Sequence, residues 1–478
     1  MFFQARRVHF IGIGGSGMSG IAEVLVNLRY GVSGSDQKSS AVTERLQSLG
    51  AKIWEGHQAS HVDGAEAVVV SSAVTADNPE VIEARRRQIP VIPRGEMLAE
   101  LMRLKFGIAI AGSHGKTTTT SMVAAVLGAA HMDPTLVVGG KLNSVGSSAR
   151  LGKGDFMVVE SDESDRSFLL LAPILAVITN IDHEHLDHYG TFGNLLNAYA
   201  EFANKVPFYG AAIVCAGNEH VRGILPQLRR RIITYGSPES DLVATNVTCG
   251  HHESRYSLRL KGQDLGEFHL RIPGEHNVLN SMAAVAVGLE LGVPIDTIRQ
   301  GLSEFGGVER RFQLRGEEAG VTVVDDYGHH PTEIRATLRA AKQCSYRRVI
   351  VVFQPHRYTR SAALMDEFAL SFADCEALFV QDIYGAGEPA IEGVSAAKMV
   401  ERIRAASQPN VEYAPSVPAL LDHLAVMTQP GDLVLTLGAG NVWQIGEELL
   451  LRLHSGKSSP ITTVPVNQEV SQEVSKAK

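Results

Sequence analysis

Cysteine is scarce. The 478-residue chain has four, Cys215, Cys249, Cys344 and Cys375, and no two of them form a CxxC pair. This excludes a disulfide framework and a cysteine zinc site, and predicts reduced, buried thiols in a cytosolic protein. Aromatic residues are also few, at 6%. Positive charge is not in excess: Lys plus Arg is 44 against 52 for Asp plus Glu, a net charge of −8. That argues against a general nucleic-acid binder. No apolar run approaches the ~18 residues needed to span a bilayer. The opening MFFQARRVHFIGIGG has no signal-peptide core, because glycines follow the short VHFI run. A soluble, cytoplasmic protein is expected. What the chain does have is a 44% hydrophobic fraction, enough to exclude general disorder. At roughly 150 residues per domain, about three domains are expected.

Short apolar runs alternate with helical patterns. Strands are predicted at 8–11, 67–70, 107–111, 156–159, 175–179, 321–324, 349–353 and 433–437, with a further one ending near 34–36, and helices at 18–28 and 277–291. Strands alternating with helices predict parallel sheets covered on both faces. Residues 241–272 differ: the alternation of Tyr256, Leu258 and Leu260 predicts an antiparallel insert or sheet extension. Pro90 and Pro93 punctuate the end of the first unit, and glycines and charges cluster at 306–312. These features predict domains at 1–100, 101–308 and 309–454. The Ser, Thr, Pro, Gln and Lys-rich tail, 455–478, reads as disordered.

The chemistry falls at the C-terminal ends of strands, where open α/β sheets bind ligands. Gly12-Ile13-Gly14-Gly15-Ser16-Gly17 fits G-x-G-x-x-G between a strand and a helix, and Asp36 follows at a distance suited to a ribose. By itself the turn suits a nicotinamide dinucleotide or a nucleotide-sugar diphosphate. Gly112-Ser113-His114-Gly115-Lys116-Thr117-Thr118 has the Gly-Lys-Thr heart of a phosphate loop, although Ile110 stands where its first glycine is usual. Lys116, read as lying in an exposed loop, would neutralise phosphates and Thr117 would offer a hydroxyl to Mg²⁺. Glu160 ends a strand and can hold a divalent ion beside that loop. The cluster Asp182-His183-Glu184-His185-Leu186-Asp187-His188 is too irregular for a zinc helix and reads as a second divalent site, with one or two histidines on the surface. In the third unit, Asp325-Asp326-Tyr327-Gly328-His329-His330 and His356-Arg357-Tyr358-Thr359-Arg360 follow strands. Two arginines and a histidine there suit a carboxylate, and Arg310-Arg311 at the junction suits phosphate.

Taken in order, GSHGKTTTT, ESDESD, TNIDHEHLDHYG, GEHNVLN, GVERRF, DDYGHHPTE, FQPHRYTR and LGAGN resemble the Mur ligases of peptidoglycan synthesis, over residues 7 to about 453. The Ile110 departure is how that family's loop looks. The resemblance implies an α/β enzyme of three domains: Rossmann-like, P-loop ATPase-like, and again Rossmann-like. It implies an ATP-dependent, ADP-forming ligase that attaches L-alanine to UDP-N-acetylmuramate through an acyl phosphate, with Mg²⁺ or Mn²⁺. The sugar nucleotide is expected at Gly14, Gly15, Ser16, Gly17, Met18, Asp36, Ser71 and Ser72. ATP is expected at residues 112–118, His276, Asn277, Asn280, Arg311 and Asp326. The amino acid is expected at Tyr327, His329, His356, Arg357 and Arg360, and the metals at Thr117, Glu160 and His185. Lys116, Arg311 and His330 are the expected catalytic groups. His330 is a candidate acceptor for the ammonium proton, and a structural histidine beside Pro331 is an equal reading.

Other readings are a family member that recycles a whole tripeptide, a nicotinamide-dependent oxidoreductase and a non-catalytic ATP-binding regulator. The first departs from QPHRYTR in its third domain, the second leaves Lys116 unexplained, and the third has no need of the 356–360 pocket. Several family members carry a carboxylated lysine downstream of the position matching His185. Residues 195–204 contain no lysine. Glu201 is therefore expected to supply that negative charge, unless it is merely a solvent-facing helix residue.

Overall fold

A computed structural model describes residues 6–71, 73–138, 149–250 and 252–455. Ser72 and residues 456–478, and with them most of the expected tail, lie outside the described residues. Three α/β sheets follow one another along the chain. The first is five-stranded and wholly parallel, in the order Lys52–Glu55, Gly31–Asp36, Arg7–Ile11, Ala67–Val70, Val91–Pro93. The alternating apolar runs form its centre, where Val8, Phe10, Ile11, Val68 and Val69 are fully buried. Pro90 precedes and Pro93 ends the last strand of this sheet. Val91–Pro93 is an edge strand, where a proline can sit without breaking the ladder.

The second sheet has ten strands. Its parallel centre includes Phe106–Ala111, Phe156–Glu160 and Leu175–Ile178. The 241–272 segment is the antiparallel extension its alternation predicts: Leu242–Gly250, Glu253–Leu260 and Gln263–Leu270 pair in sequence at one edge. The helix Glu275–Glu290 then packs its apolar side against the sheet. The third sheet has six strands, including Val321–Asp326, Asp432–Leu437 and Arg348–Phe353 side by side in parallel.

One apolar cluster runs from Val8, Phe10 and Met18 in the first unit, through Leu98 and Leu101, to Phe168, Tyr199 and Phe202 in the second. The helix Arg94–Met102 lies in this shared core. The first two sheets are thereby packed as neighbours, while the third has its own cores. Cys215, Cys344 and Cys375 are buried and Cys249 is half-buried, all as free thiols. No helix among the described residues is long and apolar enough to cross a membrane.

Candidate active site

The central glycine turn is shaped by what crowds it. Gly112 has φ +140°, and a Cβ there would fall 2.0 Å from Thr179 Oγ1. Gly115, at φ +78°, caps the helix Lys116–Ala129, and a Cβ there would meet Asn280 Oδ1 at 2.5 Å. Both positions therefore require glycine. The end of the neighbouring strand pins the turn. Thr179 Oγ1 and Asn180 Nδ2 donate to His114 O at 2.6 and 3.0 Å, the His114 amide donates to Asn180 Oδ1, and the Asp182 amide donates to Ser113 Oγ. The helix N-terminus it presents, with Thr117 and Thr118 buried in its first turn, is a ready anion site.

Lys116 is not in an exposed loop. Its ammonium donates to Gly112 O at 2.6 Å, to Ser113 O at 3.1 Å and to Glu163 Oε1 at 2.7 Å, with side chains only 16% and 2% exposed. Burial pushes the Glu163 carboxyl up to about 7, against the pull of Lys116. Glu163 Oε2 is buried with no hydrogen-bond partner among the described residues. Oxygens of Glu163 and Glu184 and a ring nitrogen of His185 lie within 4.8 Å of one another. Two carboxylates and an imidazole, one oxygen left unpaired, form a donor set that fits a divalent cation. His185 adopts φ +57°, unusual for a residue with a Cβ. Glu160 is half-buried at its strand end, where its charge acts on both Lys116 and Arg311. Beside Glu184, His183 is exposed and stacks on Phe192.

A cavity of about 340 Å³ opens between the second and third sheets. Of the residues expected at ATP, it brings together His114, Gly115, Thr118, His276, Asn277, Asn280, Arg311 and Asp326, while Gly112, Ser113, Lys116 and Thr117 are not in its lining. Burial and the charge of Arg311 push His276 down to about 4, so its ring is neutral. The two junction arginines part company. Arg310 donates to Asp325, Gly438 O and Gly440 O and braces the third sheet, whereas Arg311 lines the cavity. Asp326 accepts from the Phe312 and Gly328 amides and from Thr337 Oγ1 while lining the same cavity.

His114 joins the two sheets. Its Nε2 lies 3.1 Å from Asp182 Oδ2 and its Nδ1 lies 3.3 Å from Glu333 Oε1, on the helix Pro331–Gln343 of the third unit. Thr332 Oγ1 donates to Asp182 Oδ2 at 2.7 Å. Burial alone would lower the His114 imidazole, but its hydrogen bonds to Asp182 and Glu333 hold it up to about 10. His330 caps the same helix by accepting from the Thr332 amide through Nδ1. Its Nε2 is buried, unpartnered among the described residues and 3.9 Å from Glu184 Oε1. Burial pushes His330 down to about 4, leaving it neutral.

The residues expected around the amino acid mostly converge. Tyr327 meets His329 edge-on at 5.3 Å, His329 meets His356 at 5.8 Å, and Arg360 Nη1 lies 3.4 Å from His356 Nδ1. Arg360 Nη2 reaches to 4.0 Å from Glu184 Oε1. Arg357 does not join them. Its side chain is 53% exposed and faces Glu388.

The first sheet carries a separate cavity of about 780 Å³, lined by Gly12, Gly14, Gly15, Asp36, His57, Ser71 and Asn78. Asp36, expected at a ribose, accepts from the Gly14 and Gln37 amides and braces the turn. Ser16 begins the helix Ser16–Asn27. Met18 offers only backbone, because its side chain is buried in the core. A Cβ on Gly17 would meet the Arg94 guanidinium at 2.8 Å, and Arg94 in turn donates to Asp162 of the acidic loop.

Glu201 lies elsewhere. It is 56% exposed on the helix Phe192–Asn204, pairs with Lys205 at 3.7 Å and borders a surface hollow with Asn197, Arg229 and Arg230. The helix turns Leu195, Ala198, Tyr199 and Phe202 inward. The expected support of a metal by Glu201 is therefore overturned. Sequence reading also passed over Glu163, Glu184, Glu333 and Arg94. Glu163 and Glu184 stand inside motifs that were singled out, but spacing cannot say which carboxylate of an acidic run turns inward.

Known proteins match the chain along its length. The family model of the Mur ligase family, catalytic domain, matches residues 7–106, the Mur ligase middle domain 110–288, and the Mur ligase, glutamate ligase domain 310–440. A UDP-N-acetylmuramate--L-alanine ligase of Solibacter usitatus is 60% identical, covering 95% of this chain and 97% of its own. One of Koribacter versatilis is 57% identical, covering 96% and 99%. Among solved structures, a UDP-N-acetylmuramate-alanine ligase from Thermotoga maritima is similar with a TM-score of 0.80 at 27% identity, covering 94% of this chain and all of its own, 100%.

Proposed function

The chain belongs to the Mur ligase family, and on that footing we propose that it joins L-alanine to UDP-N-acetylmuramate, with ATP converted to ADP and phosphate, in the making of peptidoglycan precursors. A free carboxylate is a poor acyl donor because it would have to expel oxide. Transfer of the γ-phosphoryl group of ATP to the lactyl carboxylate gives an acyl phosphate. The amine of alanine attacks that carbonyl, the amide forms and phosphate leaves.

The residues fit these demands. Lys116 and the helix N-terminus behind it face the transferring phosphoryl group, with Arg311 across the cavity. Glu163, Glu184 and His185, with Thr117 and Glu160 nearby, would hold Mg²⁺ or Mn²⁺, whose charge offsets the repulsion between ATP and the carboxylate. Neutral His276 with Asn277 and Asn280 forms the base end of the pocket. Arg360 and His356 hold the alanine carboxylate, framed by Tyr327 and His329. His330 is a cap of its helix: with Nδ1 accepting from the Thr332 amide, the neutral ring carries its proton on Nε2 and has no lone pair there to take up the ammonium proton. The first-sheet cavity holds the sugar nucleotide, its diphosphate at residues 14–18 and its further contacts at Ser71. The reaction is assigned to the cytoplasm.

The observation that carries this reading is the approach of Arg360 to 4.0 Å from Glu184. It sets a carboxylate-binding arginine of the third unit beside the metal-fitting cluster of the second. The test is phosphate release from ATP with UDP-N-acetylmuramate and each amino acid in turn. Release that requires the sugar nucleotide and is greatest with L-alanine is expected. Release driven by a tripeptide but not by alanine would overturn the choice of acceptor.

A further inference from the structure

The first sheet contains a buried polar cluster that the reaction described above does not use. Glu80 has no solvent exposure, and it sits at the start of the helix Pro79–Arg86. Its Oε1 accepts from the Gln58 amide at 3.2 Å and lies 2.7 Å from His61 Nδ1. Its Oε2 accepts from Ser35 Oγ at 2.6 Å and lies 3.4 Å from His9 Nε2. Burial works to raise this carboxyl, but the hydrogen bonds from His9, Ser35 and His61 outweigh it and hold it at about 2. Glu80 is thus an anion that only accepts.

Proton counting then fixes the state of a residue at the cavity wall. His57 Nδ1 lies 3.0 Å from Ser35 Oγ and 3.6 Å from Glu80 Oε2. The single Ser35 hydroxyl proton is committed to Glu80, so Ser35 Oγ must accept from His57 Nδ1–H. A neutral imidazole protonated at Nδ1 carries its lone pair at Nε2. The His57 side chain is 20% exposed and lines the 780 Å³ cavity together with Gly12, Asp36, Ser71 and Asn78. With Nδ1 turned inward, the Nε2 edge is left to the cavity as a hydrogen-bond acceptor. His57 follows the outer strand Lys52–Glu55, next to the strand that ends at Asp36 and away from the diphosphate turn between Arg7–Ile11 and its helix.

We infer that His57 is a substrate-binding residue whose Nε2 accepts a hydrogen bond from the uridine half of the sugar nucleotide, and that Ser35 and Glu80 are positioning residues that set its tautomer. The inference rests on the reading that this cavity holds UDP-N-acetylmuramate.

The test measures binding to the full-length protein by calorimetry, with UDP-N-acetylmuramate, UDP and CDP, alongside the Michaelis constants of the complete reaction. His57→Ala is expected to weaken UDP-N-acetylmuramate and UDP about tenfold, the worth of one hydrogen bond in a partly buried site. The Michaelis constant for ATP should not move, which also reports an intact fold. Ser35→Ala should weaken UDP several-fold, and in the ¹⁵N spectrum of histidine-labelled protein it should shift His57 away from the Nδ1–H tautomer seen in the unsubstituted chain. A loss shared by UDP and CDP identifies a ribose hydroxyl as the donor; a loss confined to UDP identifies the base N3–H, which cytosine lacks. Unchanged UDP affinity in His57→Ala, or an Nε2–H tautomer in the unsubstituted protein, would overturn the inference while leaving the function standing. Failure of the unsubstituted protein to bind UDP-N-acetylmuramate at all would instead overturn the assignment of the cavity.

Discussion

Lys116 and Glu163 form an ion pair at 2.7 Å beneath the phosphate turn, the carboxylate buried and the ammonium nearly so. The lysine that a nucleotide would claim is held in reserve by a carboxylate that a metal would claim. Lys116→Ala is expected to abolish ligation, because a charge on the transferring phosphoryl group contributes several kcal/mol to the transition state. Unlike a change in an exposed loop, it should also cost stability. The cost is about 1–3 kcal/mol, kept modest because Glu163, already held up to about 7, can take a proton when its partner is gone. Urea unfolding without nucleotide measures the second effect and phosphate release the first. Substantial residual turnover would sink the phosphate-loop assignment.

Arg360 and Arg357 stand three residues apart but face different surroundings, one toward His356 and Glu184 and the other toward Glu388. Arg360→Ala should raise the Michaelis constant for alanine roughly ten- to a hundredfold, the equivalent of about 1.5–3 kcal/mol for a charge-assisted hydrogen bond. The affinity for UDP-N-acetylmuramate should hold. Arg357→Ala should change either constant less than threefold. If Arg357→Ala proved the more damaging for alanine, the pocket as drawn would be wrong.

Glu201→Ala should leave the Mg²⁺ requirement and the rate unchanged, since Glu201 is an exposed helix residue paired with Lys205. Exposed pairs of this kind contribute about 0.3–0.5 kcal/mol, so stability should barely move. A titration of activity against Mg²⁺ in both proteins is the measurement. A rise of several-fold in the Mg²⁺ needed for half-maximal rate would restore the role the sequence position suggested.

Glu201 and Glu163 illustrate what could be read from the chain and what could not. Strands at 8–11, 107–111 and 349–353, and the turns that follow them, were legible because short, mainly apolar runs ending in glycine or in a polar residue and proline have few other folded solutions. The antiparallel extension was legible from strict alternation at Tyr256, Leu258 and Leu260. Side-chain direction in irregular loops was not. ESDESD offers four carboxylates, and only the packing of the loop decides that Glu163 meets Lys116 while Asp162 meets Arg94. Arg310 and Arg311 are equivalent on paper, yet one braces the sheet and the other lines the cavity. The Glu80 cluster gathers His9, Ser35, and the neighbouring His57 and His61 from three separate segments, a meeting that no local pattern announces.

The bridge from His114 to Glu333 gives a pH-dependent prediction. Asp182 and Glu333 hold the folded-state imidazole at about 10, against about 6.5 for an unperturbed histidine. A histidine raised by folding stabilises the folded form fully below its unfolded value, and the contribution disappears as pH rises through its folded value. The bridge should therefore be complete below about pH 6.5, weaken across the alkaline range and be gone above about 10. Because His114 belongs to the phosphate turn and Glu333 to the third unit, its loss should free the third unit from the other two. His114→Gln removes the cation without removing all hydrogen-bonding capacity. The difference in unfolding free energy between the unsubstituted protein and His114→Gln should be largest near pH 6.5 and should shrink steadily toward pH 10. Over the same range, small-angle scattering of the unsubstituted protein should report an increase in radius of gyration that His114→Gln already displays at pH 6.5. A stability difference constant from pH 6.5 to 10 would mean that the imidazole stays neutral throughout, and that Glu333 and Asp182 are held near it by Thr332 and the helix packing alone.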